Sequence, residues 1–236
     1  MQTLYYLILV PMVYAAFAVF VVGTASRLIR IASFPVYVPT LQVFPKKSAG
    51  WVLALYDSFA LPTVRKHNPL LWVFLMLFHV CFFFLIIGHI ELIAKIDAFQ
   101  VIGHEIFLGK GFIGLILAIA LLFFLFRRFV SPNRDLSVPE DYYLLILLFL
   151  TVIFGSEMDW ARRWYDYSEM TVQDYRAYLF SLLIFKPALP VAITGSGHSF
   201  MLVLHVFFAN LFLIFFPFSK IMHAFLALPI NKLRRG

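Results

Sequence analysis

The chain has 236 residues, 63% of them hydrophobic and only 13% charged, with 29 Phe and a mean hydropathy of +0.92. No soluble packing of a chain this long hides so much apolar surface, so the composition excludes a water-soluble globular domain and indicates an integral membrane protein. The net charge of +7 would suit a nucleic-acid partner, but the bases fall between greasy segments rather than in one patch, and they read as orientation signals in a lipid bilayer.

Five membrane spans are predicted. Residues 4–25 carry no charge before Arg27, and with no basic stretch ahead of them they read as an uncleaved anchor rather than a signal peptide. The second span covers 70–90, with Asn68 as its cap and Pro69 pre-set for the first turn. The third, 111–126, is short for ~30 Å of hydrocarbon unless Lys110 and Arg127 snorkel to the two interfaces. The fourth, 138–156, opens on Ser137-Val138-Pro139-Glu140, the pattern of a capping box, and is uncharged over 142–156. The fifth, 198–219, begins after Gly195-Ser196-Gly197, and Pro217 is expected to bend its last turn. With no internal repeat, the predicted fold is an all-α integral membrane protein, one domain over 1–236.

Two connections carry patterns of their own. Over 47–61, Trp51, Val52, Leu55, Tyr56 and Phe59 fit an amphipathic helix lying on an interface, where it anchors the chain or docks a partner. Residues 159–186 are crowded with Trp160, Trp164, Tyr165, Tyr167, Tyr175 and Tyr178, which suits the headgroup zone. Alternate loops divide Lys and Arg unequally: thirteen in 26–69, 127–134 and the tail from Lys220, against six in the other connections. The positive-inside rule therefore predicts an outside N-terminus and a cytoplasmic C-terminus, in the cytoplasmic (inner) cell membrane.

Histidine is the informative residue. His79 and His89 lie ten apart in the second span, and His205 and His223 eighteen apart in and just beyond the fifth. An ionisable side chain inside a bilayer costs a few kcal/mol at ~2.5–3.5 kcal/mol for a charge at mid-depth, and it faces a partner, a cavity or a cofactor. At ~1.5 Å per residue, antiparallel helices bring His89 level with His205 and pair His79 with His223. Eighteen residues make five turns of ~3.6, which would put His205 and His223 on one face of a continuous helix. A single transmembrane histidine is ordinarily hydrogen-bonded to a neighbouring helix. Four in two depth-matched pairs fit two stacked b-type haems, each iron held by two neutral imidazoles. Cys81 is the only cysteine, so covalent c-type attachment and a four-thiolate iron–sulfur cluster from this chain are excluded. Gly88 and Ala209 could give a porphyrin room. Arg27, Arg30, Arg127 and Arg128 inside, and Arg162 or Arg163 outside, are candidates to pair haem propionates.

This arrangement of five spans and four histidines resembles the dihaem cytochrome b subunit of respiratory nitrate reductase, the NarI family, over nearly the whole chain. The segment Asp135-Leu136-Ser137-Val138-Pro139-Glu140-Asp141-Tyr142-Tyr143, leading into a leucine-rich helix with Gly155, is more similar to the DsrM/HmeC branch. The resemblance implies an electron-transfer subunit of a quinone-linked oxidoreductase complex in dissimilatory sulfur metabolism, with the gamma subunit of a nitrate reductase as the alternative. It implies menaquinone or menaquinol near the outer haem, at His89 and His205, and a cytoplasmic iron–sulfur partner resembling heterodisulfide reductase near the inner haem. Further membrane and extracytoplasmic redox subunits would complete the assembly, with no catalytic residue in this chain outside the quinone site. Gly88-His89 matches the family's Gly-His pair, and Lys110 stands near the position of a quinone-binding lysine.

Quinol oxidation releases protons, so a titratable group is expected beside the outer haem. Glu91, His104, Glu157 and Asp159 are candidates; Glu91, two residues beyond His89, is the foremost. His198 could line the same pocket, and His67 among Arg65, Lys66 and Asn68 reads as interfacial. A haem-free anchor for a soluble enzyme would keep the spans and the basic inner face but gives no reason for paired histidines. A transporter would want broken helices or a charged midplane cluster, neither of which the sequence offers.

Overall fold

The computed structural model describes residues 2–33, 50–93, 112–165, 170–195 and 199–235, without the side chains of 162, 163, 194 and 235. Among these residues every regular element is helical, and five stretches are long and apolar enough to cross a membrane: Gln2–Ser33, Pro69–Ile93, Phe112–Phe129, Pro139–Ala161 and Ser199–Phe218. All five predicted spans are therefore present, and the chain is a multi-pass membrane protein. Val22, Ile29, Phe83 and Phe126 are each more than half exposed on these helices, which hydrocarbon tolerates and water does not.

The described residues form two compact units, Met1–Ala16 with Met76–Phe212, and Phe17–Leu75 with Leu213–Gly236. Helices are numbered in chain order: α1 Gln2–Leu9, α2 Pro11–Ser33, α3 Gly50–Ala60, α4 Pro62–His67, α5 Pro69–Ile93, α6 Phe112–Phe129, α7 Pro139–Trp164, α8 Val172–Leu183, α9 Val191–Gly195, α10 Ser199–Phe215 and α11 His223–Arg235.

In the first unit the core joins Leu9, Val10 and Val13 to Met170, Tyr178, Leu182, Ile193, Leu202 and Val203. Pro11 has no N–H for the helical ladder, and the carbonyls beside this break find side-chain donors. Asn210 Nδ2 donates to Ile8 O at 3.2 Å and Tyr178 Oη to Leu9 O at 2.6 Å. Burial, and secondarily Tyr14, hold the Tyr178 phenol well above its ordinary range, so it stays a donor. Small residues bring α6 and α7 together: a Cβ on Gly114 would overlap Ser156, and Ala118 and Ala120 are buried.

The α7 start differs from its prediction by one residue. Val138, not Ser137, is the N-cap; its N–H donates to Asp141 Oδ2 at 3.1 Å, while Ser137 Oγ donates to Asn133 O. Asp141 in turn pairs with Arg128 at 3.5 Å. Pro139 occupies the first helical position, which puts Asp141 rather than Glu140 at the third.

Helix α8 lies within the aromatic connection of residues 159–186. Thr171 and Asp174 form a reciprocal cap, Thr171 N–H donating to Asp174 Oδ2 at 2.8 Å and Asp174 N–H to Thr171 Oγ1 at 3.3 Å. The helix ends in a 6→1, 5→2 pair, Lys186 N to Ser181 O and Phe185 N to Leu182 O, with Phe185 at φ 55° where glycine is usual.

In the second unit Asn68 Oδ1 accepts from Leu71 N at 3.0 Å and Pro69 opens α5, as the sequence predicts. Helix α3 packs on α11, with Asn231 Nδ2 donating to Ser58 Oγ at 2.9 Å and Lys232 lying over Trp51. Its buried side is Gly50 and Ala54, and all five apolar residues of the predicted amphipathic face, Trp51, Val52, Leu55, Tyr56 and Phe59, are exposed. Arg27 and Gly23 of α2 meet Pro217: Arg27 Nη1 donates to its carbonyl at 2.6 Å, and a Cβ on residue 23 would sit 2.8 Å from its ring.

Candidate functional site

Two imidazoles meet in the first unit. His89 lies on the last turns of α5, its Nδ1 2.7 Å from Leu85 O one turn back on the same helix. His205 lies on α10, its Nδ1 2.8 Å from Thr151 O on α7. A carbonyl only accepts, so each Nδ1 carries the proton and each Nε2 of the neutral ring keeps its lone pair for a metal. The ring centroids are 6.0 Å apart and the planes 25° from parallel. Two imidazoles on one iron stand ~6 Å apart at their centres, given metal–nitrogen bonds of ~2 Å and ~1 Å from each nitrogen to its ring centre.

The donor set suits a porphyrin. Among the described residues no three His, Cys, Asp or Glu side chains converge as a metal cluster. His89 and His205 would hold a haem through their Nε2 atoms, and the haem would supply one-electron chemistry there.

Around this pair, Gly88 is buried and Glu91 is 2% exposed. Arg176 of α8 is one of the six bases in the less basic set of connections. Its Nε donates to Leu92 O at 3.3 Å and its Nη2 to Glu91 O at 3.4 Å, so it caps the C-terminal carbonyls of α5. No local pattern could have found this contact, since the partners are 84 and 85 residues apart.

The other candidates distribute as follows. His79, exposed on α5, meets Phe78 edge to face at 5.2 Å. His223 is exposed and opens α11, with Nδ1 3.0 Å from Lys220 O. The expectation of one helix carrying His205 and His223 on a shared face does not hold. Helix α10 ends at Phe215, two 3-10 turns follow, Ser219 is extended at φ −110° and ψ 174°, and His223 starts a new helix. Pro217 lacks the N–H that would continue the ladder, and Ser219 Oγ accepts from Ile221 N to start the next turn. Arg27 is engaged by Pro217 O, Arg128 by Asp141 and Ser137, and Arg127 is half-buried in the last turn of α6. Glu157 and Asp159 lie on the last turns of α7. Lys110, His104, His198 and the side chains of Arg162 and Arg163 lie outside the described residues.

Two relatives align with nearly the whole chain. A protein of Archaeoglobus fulgidus named Hdr-like menaquinol oxidoreductase cytochrome b-like subunit is 26% identical, covering 92% of this chain and 75% of its own length. Its namesake in Archaeoglobus profundus is 24% identical, over 89% of this chain and 73% of its own length. Both names match the Hdr-linked branch that the resemblance favours. The model of the nitrate reductase gamma subunit family matches residues 63–236, a stretch that contains all four histidines, and the chain belongs to that family.

Proposed function

We propose that this chain is the membrane cytochrome b subunit of a respiratory complex, carrying electrons between menaquinol near the outer face and a cytoplasmic iron–sulfur partner. The facing pair His89 and His205, with both Nδ1 atoms spent on carbonyls, is the observation that carries the reading. The relatives' names, with menaquinol and cytochrome b in them, support the quinol link, and their Hdr-like label supports a heterodisulfide-reductase-like partner. The family's own name supports a second reading, the gamma subunit of a nitrate reductase.

Bound haem supplies one-electron chemistry that no side chain here offers. The chain's own part is to hold, exclude and move protons. His89 and His205 present neutral Nε2 lone pairs, while Gly88 leaves the backbone beside His89 uncovered by a side chain. Helices α5 and α10 keep the site in lipid and away from water. Menaquinol oxidised to menaquinone would give up two electrons and two protons: Glu91 would take one proton at its carboxylate for release to the outer side, the other would leave directly to outer water, and the electrons would pass singly to the haem that His89 and His205 would hold. Lys110 is the proposed contact to the quinone ring oxygen. His79 and His223 hold the second haem on the cytoplasmic side, an assignment resting on sequence spacing and the family resemblance. Arg27, Arg127 and Arg128, and Arg162 on the opposite face, are the propionate partners; a guanidinium has five N–H donors and can serve a propionate beside its protein contact. The N-terminus lies outside and the C-terminus in the cytoplasm.

Redox spectroscopy of the purified protein tests the proposal. The expected result is a low-spin b-type spectrum with two haems per chain, reducible by a menaquinol analogue. A colourless polypeptide would remove the reading.

A further inference from the structure

We propose that α7, which contributes no ligand, is the positioning element for His205, through Gly155 and the Thr151 carbonyl. The proposal rests on the reading of His205 as a haem ligand. Two contacts between α7 and α10 converge on this ring, and a third lies one turn along. The first is the Nδ1–H bond to Thr151 O at 2.8 Å. The second is a close approach: a Cβ on residue 155 would lie 2.8 Å from both Cε1 and Nδ1 of His205, so only glycine lets the ring lie flat against α7. The third is the parallel stack of Phe154 on Phe208, one turn beyond His205, with centroids 5.6 Å apart and planes 3° from parallel.

Glycine within a helix costs ~1 kcal/mol relative to alanine, so its place in mid-α7 asks for a reason. Residues 151 and 155 are one helical turn apart, which puts acceptor and gap on one face of α7. The Thr151 hydroxyl turns back to Leu147 O at 2.8 Å, and the Thr151 carbonyl has two lone pairs, one for the helical ladder and one for the imidazole. His89 differs, because its acceptor is Leu85 on its own helix. The orientation of His89 follows α5 alone, whereas that of His205 depends on the register of α7 against α10. A carbonyl drawing on Nδ1–H makes Nε2 more basic and favours ferric over ferrous iron. The seat therefore sets both ring rotation and potential at one haem.

The test uses the full-length, haem-loaded protein and reads low-spin electron paramagnetic resonance with potentiometry of each haem. G155A is expected to keep both haems but shift the low-spin signal of one, the one lost in H205A, and to raise the midpoint potential of that haem alone. F208L, which removes the stack without adding bulk at the ring, is expected to give a smaller shift at the same haem and decides the matter if G155A fails to assemble. S156A, on the next residue but facing Gly114, should leave both signals as in wild type. Wild-type signals and potentials in the assembled Gly155 and Phe208 variants, or equal shifts at both haems, would overturn the seat. A wild-type chain without haem, or H205A with both haems intact, would instead overturn the underlying assignment.

Discussion

Arg27 donates through Nη1 to the carbonyl oxygen of Pro217 at 2.6 Å, joining residues 190 apart in sequence. The bond falls where the helical ladder is broken ahead of His223, and it satisfies a carbonyl at the end of the fifth span. R27A should cost ~1.5–3 kcal/mol, the range for a hydrogen bond with a charged partner. Its thermal midpoint in detergent should fall, and the haem assigned to His223 should be lost before the one assigned to His205. Equal loss of both, or an unchanged midpoint, would count against this role.

Single histidine variants should sort into two classes. H89A and H205A are each expected to halve the haem content and to remove the same spectral component. H79A and H223A should also halve it, removing the other component. Pyridine haemochrome quantification per chain, with potentiometry, separates the classes, and a variant retaining full haem content would exclude that residue as a ligand.

Glu91 is 2% exposed and two residues from His89. If its carboxylate takes the quinol proton, E91Q should slow menaquinol-driven haem reduction by ~10²-fold or more, the lower range for loss of a general base. Haem content and dithionite-reduced spectra should not change. Wild-type reduction rates at every pH would dismiss Glu91.

The cap of α8 responds to acid. The Thr171 N–H, then its hydroxyl, hold the Asp174 carboxyl below the ordinary value, so the unfolded helix binds its proton more tightly. That contribution is complete above the unfolded value of ~3.9 and is lost as pH falls through the lower folded value. Amide exchange over Val172–Leu183 should therefore speed up below about pH 4 in wild type, and D174N should show fast exchange already at neutral pH without the acid step.

Phe185 holds a left-handed conformation at φ 55° and stacks on Tyr14 with centroids 5.5 Å apart. The conformation costs ~1–2 kcal/mol for a residue with a Cβ, and an aromatic pair returns ~0.5–1.5 kcal/mol. F185A loses the stack and keeps the strain, whereas F185G loses both. F185G should therefore be more stable than F185A by about 1 kcal/mol, read from thermal midpoints. The reverse order would show that the left-handed backbone at residue 185 is not strained.

Features decided within one turn were legible in the sequence. The five spans follow from uninterrupted apolar runs, and the Asn68-Pro69 start of α5 needs only local chemistry. The α7 cap was misplaced by one residue because Ser137 and Asp141 both offer capping oxygens, and Pro139 decides between them. Helix α8 had a readable start in Thr171-Val172-Gln173-Asp174, but its aromatic side chains resemble those of an interfacial loop. The break between His205 and His223 is sharper than the expected bend, since a proline in a helix bends or ends it according to what meets its freed carbonyls, and here Arg27 and Gly23 come from the first span. For the candidate site, residue types and depth pointed to His89 with His205, while Thr151, Gly155 and Arg176 come from distant segments and leave no local pattern.

The break at Pro11 bears on how the polypeptide is made. Asn210 and Tyr178 reach the Ile8 and Leu9 carbonyls from 202 and 169 residues further along. At a ribosomal pace of ~5–20 residues per second, these donors emerge roughly ten to forty seconds after the first segment has entered the bilayer. Until then that segment sits in hydrocarbon without the neighbours that cover its kink. Its docking is consequently a late event in biogenesis, and a nascent chain truncated before Tyr178 should leave it extractable or bound to an insertion chaperone.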